Sequence, residues 1–415
     1  MSEVQTKAKH AKEISKFLNG ISTKQKNEGL QAIAAALIAN SDYLISENIK
    51  DVLLGEKKAM SKSILDRLTL NESRIQAMAE GIQILVSLPD PIGETMEGWK
   101  RPNGLDIVKK RVPIGVIGII YEARPNVTVD VAGLTLKSSN AVILRGSSSA
   151  ANSNIAIVKV INEALLSVGY PKNVISLIEE TDRKTVQELV TCNGYVDLVI
   201  PRGGADLIKT VVSTASVPCI ETGLGNCHLY IDKFANEDII IPLVLNCKVQ
   251  KPSVCNAIES LLIHKDIAPK VLPKILQALK EHKVELIGCE ETKTYDPLVK
   301  LASDEDYATE FLDYKISIKV VEDISQAITH ISRFGTKHTE GIISEDYTAI
   351  ETFKTQVDAS TIMVNASTRF TDGFEFGFGA EMGISTQKTH ARGPMGLNEL
   401  TIYKYIVSGN GQIRS

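Results

Sequence analysis

Residues 114–145 run IGVIGII, then YEARPNVTVDVAGLTLKSSN, then AVILR. The outer segments are short apolar runs, and the twenty residues between them have the length of a helix with its connections. A strand that is apolar on both faces must be covered on both, so this spacing predicts parallel strands with helices above and below. The pattern recurs in NVISLI (173–178), VDLVIP (196–201) and VPCIE (217–221), which extend a first sheet. Beyond the glycines near 223–225, HLYID (228–232), SLLIH (260–264), KVELIG (283–288), ISIKVV (316–321) and TIMVN (361–365) predict a second α/β domain.

Toward the amino terminus, Leu30, Ile33, Ala34, Leu37 and Ile38 recur on one helical face behind the capping-box pattern Ser22-Thr23-Lys24-Gln25. Ile75, Met78, Ala79, Ile82, Leu85 and Val86 mark another helix, stopped by Pro89 and Pro91. WKRPNGLDIVKKRV (99–112) has strand-forming residues on both sides of Pro102-Asn103-Gly104 and predicts an exposed hairpin arm. The last strand, TIYKYIV (401–407), is expected to pair with that arm in another copy of the chain.

A chain of 415 residues has room for two or three domains. With 43 % hydrophobic residues and a net charge of −4, it carries no general attraction for nucleic acid or an anionic membrane. MSEVQTKAKHAKEI lacks the apolar centre of a signal peptide, and no apolar run is long enough to span a bilayer, so a cytoplasmic location is expected. The six cysteines show no C-x-x-C pair and no zinc spacing, which predicts reduced thiols and no metal.

Several loops carry candidate chemistry. Cys255, in KVQKPSVCNA, follows Lys248 and Lys251, whose charge favours the nucleophilic thiolate; a buried structural thiol is the alternative. Glu221, 34 positions earlier, is a general base or a turn cap. Tyr121 to Asn126 follow a strand at the edge where open α/β sheets bind ligands, although Pro125-Asn126 also suits a plain turn. Arg145-Gly146-Ser147 and Arg202-Gly203-Gly204 are strand ends that open helices, suited to phosphate or to ordinary capping. No G-x-G-x-x-G accompanies them, so an ordinary Rossmann site is not supported. Arg369, His390 and Arg392, on glycine-rich loops, form an anion pocket or a wet polar surface.

LPDPIGE (88–94), VPIGVIGIIYEARPNVTVDVAGL (112–134), NAVILRG (140–146), IETGLGNCHLYID (220–232), PSVCNA (252–257), VNASTRFTDG (364–373) and THARGPMGL (389–397) together carry a resemblance. Over essentially its whole length the chain resembles the glutamate-5-semialdehyde dehydrogenases, or gamma-glutamyl phosphate reductases, of the aldehyde dehydrogenase superfamily. The resemblance implies an aldehyde dehydrogenase-like α/β fold. It divides the chain into an NADP(H)-binding domain (1–98 and 112–221), a catalytic domain (222–398) and a small β oligomerisation arm (99–111 and 399–415). It also implies NADPH-dependent reduction of L-glutamate 5-phosphate to L-glutamate 5-semialdehyde and phosphate in L-proline biosynthesis, the product cyclising to 1-pyrroline-5-carboxylate.

In that reading Cys255 is the nucleophile, Asn126 and the Cys255 amide hold the oxyanion, and Glu221 manages a proton or positions substrate. Glu310 contacts the nicotinamide ribose, Arg145 suits the 2′-phosphate of NADP, and Ser147, Gly203 and Gly204 complete the cofactor set. Lys251, Arg369, His390 and Arg392 take the substrate and its phosphate. A homo-oligomer is implied, with glutamate 5-kinase as a further partner. Three departures stand out: Lys251 where Arg is expected, Val249 where Thr is usual, and Glu381-Met382-Gly383 where apolar residues are common. A reductase of another acyl phosphate or of an acyl-CoA is disfavoured by STQKTHARGP (385–394) and VNASTRFTDG, and a non-catalytic oligomeric scaffold by the presence of Cys255, Asn126 and Glu221.

Overall fold

The structure, a computed structural model, describes residues 1–414. They divide into two compact units, one made of residues 1–222, 377–383 and 395 onward, the other of residues 223–376 and 384–394.

The first unit opens with helices α1 (Glu3–Leu18), α2 (Thr23–Ala39), α3 (Ser41–Lys57), α4 (Lys62–Leu68) and α5 (Glu72–Ser87). The predicted capping box starts α2: Ser22 Oγ accepts the Gln25 N–H, and Gln25 Oε1 accepts the Ser22 N–H at 2.9 Å. Leu30, Ile33, Ala34 and Leu37 are buried along this helix, whereas Ile38 turns outward.

Strands β1 (Thr95–Lys100), β2 (Asp106–Pro113) and β3 (Val116–Tyr121) follow, then α6 (Pro125–Lys137), β4 (Ala141–Arg145), α7 (Ala151–Ser167), β5 (Ile175–Leu177), α8 (Arg183–Val190), β6 (Leu198–Arg202) and α9 (Ala205–Thr214). β5-β4-β3-β6 form a parallel sheet in that order. Every residue of β3 and β4 is buried, as expected of strands covered on both faces.

The expected strand at 217–221 is not formed beyond one bridge, Cys219 to Val199. Pro218 has no N–H to give to a ladder, and its carbonyl instead accepts the Val199 N–H at 2.9 Å. Glu221 therefore follows an irregular segment rather than a strand.

The second unit contains β7 (Cys227–Ile231), α10 (Glu237–Val249), β8 (Ile258–His264), α11 (Ala268–Glu281), β9 (Glu285–Gly288), α12 (Glu290–Tyr295), β10 (Lys300–Leu301), α13 (Asp304–Ala308), β11 (Lys315–Val321), α14 (Ile324–Phe334), β12 (Thr339–Ile343), α15 (Tyr347–Gln356) and β13 (Thr361–Val364). Its sheet is parallel throughout, in the order β10-β9-β11-β8-β7-β12-β13. A short pair, β14 (Ile384–Ser385) and β15 (Gly393–Pro394), lies in the same unit. Parallel strands all enter from one edge, so the segments that precede β7, β8, β12 and β13 gather at the amino-terminal edge of this sheet. Cys255 lies three residues before β8.

The last strand, β16 (Thr401–Ser408), pairs antiparallel with β2 of its own chain, through eight registered positions from Thr401↔Pro113 to Ser408↔Asp106. The order β1-β2-β16 makes a three-stranded sheet. The predicted turn closes the hairpin β1–β2: Gly104, at φ +90°, donates to the Arg101 carbonyl. β16 is exposed beyond Thr401 and, with β1, presents Met96, Trp99, Ile402, Tyr405, Ile406 and Val407.

Candidate active site

In the second unit, Cys255 occupies a turn at the amino-terminal edge of the sheet and is half-buried. Its carbonyl is held from two sides. Cys227 Sγ–H, at the start of β7, donates to it at 3.1 Å, and Gly225 lies so close that a Cβ there would sit 1.6 Å from the Cys255 oxygen. Only glycine tolerates that approach. The Gly225 N–H in turn donates to Glu310 Oε1 at 2.7 Å. The next residue, Asn256, gives its amide N–H to the Thr371 carbonyl at 2.9 Å, and its Oδ1 accepts from Arg369 Nη1.

Arg369 also donates to Gln250 Oε1 at 2.8 Å. Burial lowers its pKa, and the Cys255 sulfur is among the groups that counter this by attracting its charge. A guanidinium in this place favours the thiolate. Arg369 is thus the basic neighbour of Cys255, a part the sequence had given to Lys248 and Lys251. Lys248 is fully buried against Glu259, while Lys251 is exposed in the turn before Cys255.

Arg392 lies in the same unit. It pairs with Asp358 at 2.7 Å, together with Lys388 at 3.0 Å and Lys337 at 3.6 Å. These hydrogen bonds, from Arg392 first and Lys388 next, hold the Asp358 carboxyl down at about 2. The three cations leave an excess of two positive charges, which keeps this cluster attractive to anions although Arg392 is not the open guanidinium expected. His390 is exposed on the same loop.

Cys227 and His338 were not singled out from sequence, because a thiol and an imidazole beside apolar strands read as core residues. The structure sets His338 Nδ1 3.7 Å from Cys227 Sγ and 2.9 Å from Thr339 Oγ1. Burial depresses His338 to about 4 and raises Cys227 well above its ordinary value. Unfolded, the imidazole titrates near 6.5, so between pH 6.5 and 4 the unfolded chain binds a proton that the folded chain does not. Stability is therefore complete above pH 6.5 and falls as pH drops toward 4, by about 3 kcal/mol from this residue. His338→Gln is expected to flatten that part of a pH series of urea unfolding curves; an unchanged slope would contradict the assignment.

In the first unit, the loops after β3, β4, β5 and β6 meet at the carboxyl edge of the sheet, where α/β folds bind nucleotides. Asn126 is exposed in the first turn of α6, and one amide N–H donates to Asp130 Oδ2 at 3.1 Å. Desolvation pushes Asp130 up to about 6, with Asn126 and Arg202 opposing. Glu221 is exposed.

The phosphate-binding expectations are revised here. Arg145 is 8 % exposed, and its donors are committed to the carbonyls of Gly146, Thr181 and Asp182 and to Thr185 Oγ1, at 2.8–3.2 Å. It stitches β4 to the segment before α8 and is not an open guanidinium. Ser147 caps the following turn through the Ser149 N–H. At the glycine pair, the Gly204 N–H donates to Glu122 Oε2 at 3.0 Å, and a Cβ on Gly203 would meet the Glu122 carboxyl carbon at 2.6 Å. A carboxylate already takes the anion position at the start of α9.

Arg145→Ala is accordingly expected to lower the melting temperature, since each carbonyl left unpaired costs about 1–3 kcal/mol. It is expected to weaken NADPH and NADH equally in a fluorescence titration. A loss confined to NADPH would restore the 2′-phosphate contact.

Among the described residues, no group of three or more His, Cys, Asp or Glu could hold a metal ion, and none of the six cysteines forms a disulfide. No helix among them is long and apolar enough to cross a membrane.

Two α/β units, one with a nucleotide-type sheet edge and one presenting a cysteine fixed by its main chain, agree with what similarity shows. The aldehyde dehydrogenase family model matches residues 2–309, and the chain belongs to that family. It is 54 % identical over 412 residues to a gamma-glutamyl phosphate reductase of Caldanaerobacter subterraneus subsp. tengcongensis, covering 99 % of this chain and 100 % of the relative. The crystal structure of gamma-glutamyl phosphate reductase from Thermotoga maritima is 46 % identical, with a TM-score of 0.97 and full coverage of both chains. An acetylating aldehyde dehydrogenase from Geobacillus thermoglucosidasius, 18 % identical with a TM-score of 0.70 over 100 % of this chain and 98 % of its own, shares the fold.

Proposed function

We propose that this chain reduces L-glutamate 5-phosphate to L-glutamate 5-semialdehyde with NADPH, releasing phosphate, as a step of L-proline biosynthesis. The observation that carries this reading is the fixed Cys255 with Arg369 beside it, in a chain similar over its whole length to reductases of gamma-glutamyl phosphate.

The Cys255 thiolate attacks the acyl phosphate carbon, phosphate leaves, and a thioester remains on the sulfur. The Cys255 main-chain N–H receives the oxyanion, and Asn126 is our candidate for a second donor. NADPH, when bound, supplies the hydride that reduces the thioester to a thiohemiacetal. Collapse to aldehyde returns the thiolate. No water has to attack the thioester in this direction, so Glu221 acts in positioning or proton balance rather than hydrolysis.

The cofactor chemistry fits the carboxyl edge of the first unit, where the Ser147 hydroxyl and the main chain opening α7 supply donors. Glu310 is our candidate for the nicotinamide ribose, and the Lys337, Lys388 and Arg392 cluster, with His390 and Lys251, for attracting the anionic substrate.

We further place the chain in a reducing cytoplasm, as free thiols require. The exposed apolar sheet β1-β2-β16 serves homo-oligomerisation. The unstable acyl phosphate must come from an ATP-dependent kinase acting on the glutamate side chain, with glutamate 5-kinase as the partner.

The reaction is tested in reverse. Semialdehyde and NADP+ should yield NADPH at a rate that rises with phosphate and is not supported by coenzyme A. Turnover with coenzyme A in place of phosphate would overturn the substrate assignment.

A further inference from the structure

Lys248 and Glu259 are both wholly buried, with Nζ 2.5 Å from Oε2. Burial pushes the carboxyl up and the ammonium down, and their mutual contact opposes both shifts. Such a pair gains little over apolar residues of the same volume, so its place in the fold is informative. Lys248 lies near the end of α10 and Glu259 near the start of β8, and the loop between them carries Cys255. The pair closes the base of the nucleophile's loop.

The other Glu259 oxygen, Oε1, accepts the Leu312 N–H at 3.1 Å. Leu312 has φ +54°, a left-handed conformation that a leucine adopts only when its surroundings impose it. Two residues earlier on the same segment, Glu310 takes the Gly225 N–H, and Gly225 packs on the Cys255 carbonyl. A circuit of contacts therefore runs from Lys248 through Glu259, Leu312, Glu310 and Gly225 to Cys255.

We propose that Glu259, held by Lys248, is a positioning residue for Cys255: it anchors the 310–312 segment so that Glu310 and Gly225 fix the main chain from which the thiolate attacks. Neither residue touches the reacting atoms. The inference rests on Cys255 being the nucleophile, which Cys255→Ser tests separately.

Two double variants of the full chain separate positioning from general stability. Lys248→Met with Glu259→Leu removes the charges and the acceptor for Leu312; Lys248→Met with Glu259→Gln removes the charges and keeps the acceptor. Melting temperature, kcat, KM and the rate of Cys255 alkylation by iodoacetamide are measured for each. The leucine form is expected to melt at or above the wild-type temperature, to lose at least 30-fold in kcat and to keep its alkylation rate within threefold. The glutamine form is expected to keep kcat within fivefold. A leucine form with kcat within threefold of wild type, or a glutamine form as impaired as the leucine form, overturns the proposal. If the leucine form is not recovered folded, Glu259→Asp withdraws the carboxylate from Leu312 by one methylene and keeps the charge. At least tenfold lower kcat is then expected, and wild-type kcat overturns the proposal.

Discussion

Cys255→Ser should lower phosphate-dependent NADP+ reduction by at least about 10⁴-fold, the scale of losing a nucleophile, with a melting temperature close to that of the parent. The side chain is half-buried in a turn, and serine leaves the main-chain contacts from Cys227 Sγ and Gly225 in place. A serine hydroxyl beside Arg369 has no thiolate-like form near neutral pH. NADPH binding should change less than twofold in the same variant, because serine leaves the Gly225–Glu310 contact in place. Turnover within tenfold of wild type would remove Cys255 from the mechanism.

Gly225→Ala should produce the second-largest loss, although glycine to alanine is usually mild. A methyl group there would lie 1.6 Å from the Cys255 carbonyl oxygen and 2.4 Å from its carbonyl carbon. One of the two main chains must retreat by more than 1 Å. Moving β7 disturbs a buried strand, so the Cys255 turn is the element that gives way. A nucleophile displaced by about 1 Å loses on the order of 100-fold in rate, and we expect kcat to fall by at least that factor. The Glu310 contact is strained by the same shift, so KM for NADPH should rise as well. Steady-state kinetics together with a thermal melt check this; unchanged kcat in a folded variant would show that the close approach does not set the nucleophile.

The fold was legible where local chemistry had one solution. The runs at 114–120 and 141–145 are too apolar to leave exposed, the Ser22–Gln25 box is a reciprocal hydrogen-bond pair, and Asn103-Gly104 suits a tight turn. The 217–221 strand failed because Pro218 removes a ladder donor while its neighbours still look strand-like. For β16, alternation indicated an edge partner but not whose edge. At the site, Cys255 and Arg369 stood out by motif, yet no local pattern indicated which partners the charges would find. Arg145, Arg392 and Lys248 all read as available cations, and the chain neutralises or saturates each of them through residues 34 to 40 positions away or, for Lys248, 11 positions along. Gly225 and Cys227 were present in the motif IETGLGNCHLYID, but only packing shows that both hold the Cys255 carbonyl.

The mechanism requires a thioester on Cys255. Enzyme mixed with semialdehyde and NADP+ in the absence of phosphate should give a burst of one NADPH per chain and then stop, with the acyl group found by peptide mass spectrometry on Cys255 and released when phosphate is added. Steady NADPH formation without phosphate, or an acyl group on any other residue, would exclude the Cys255 thioester.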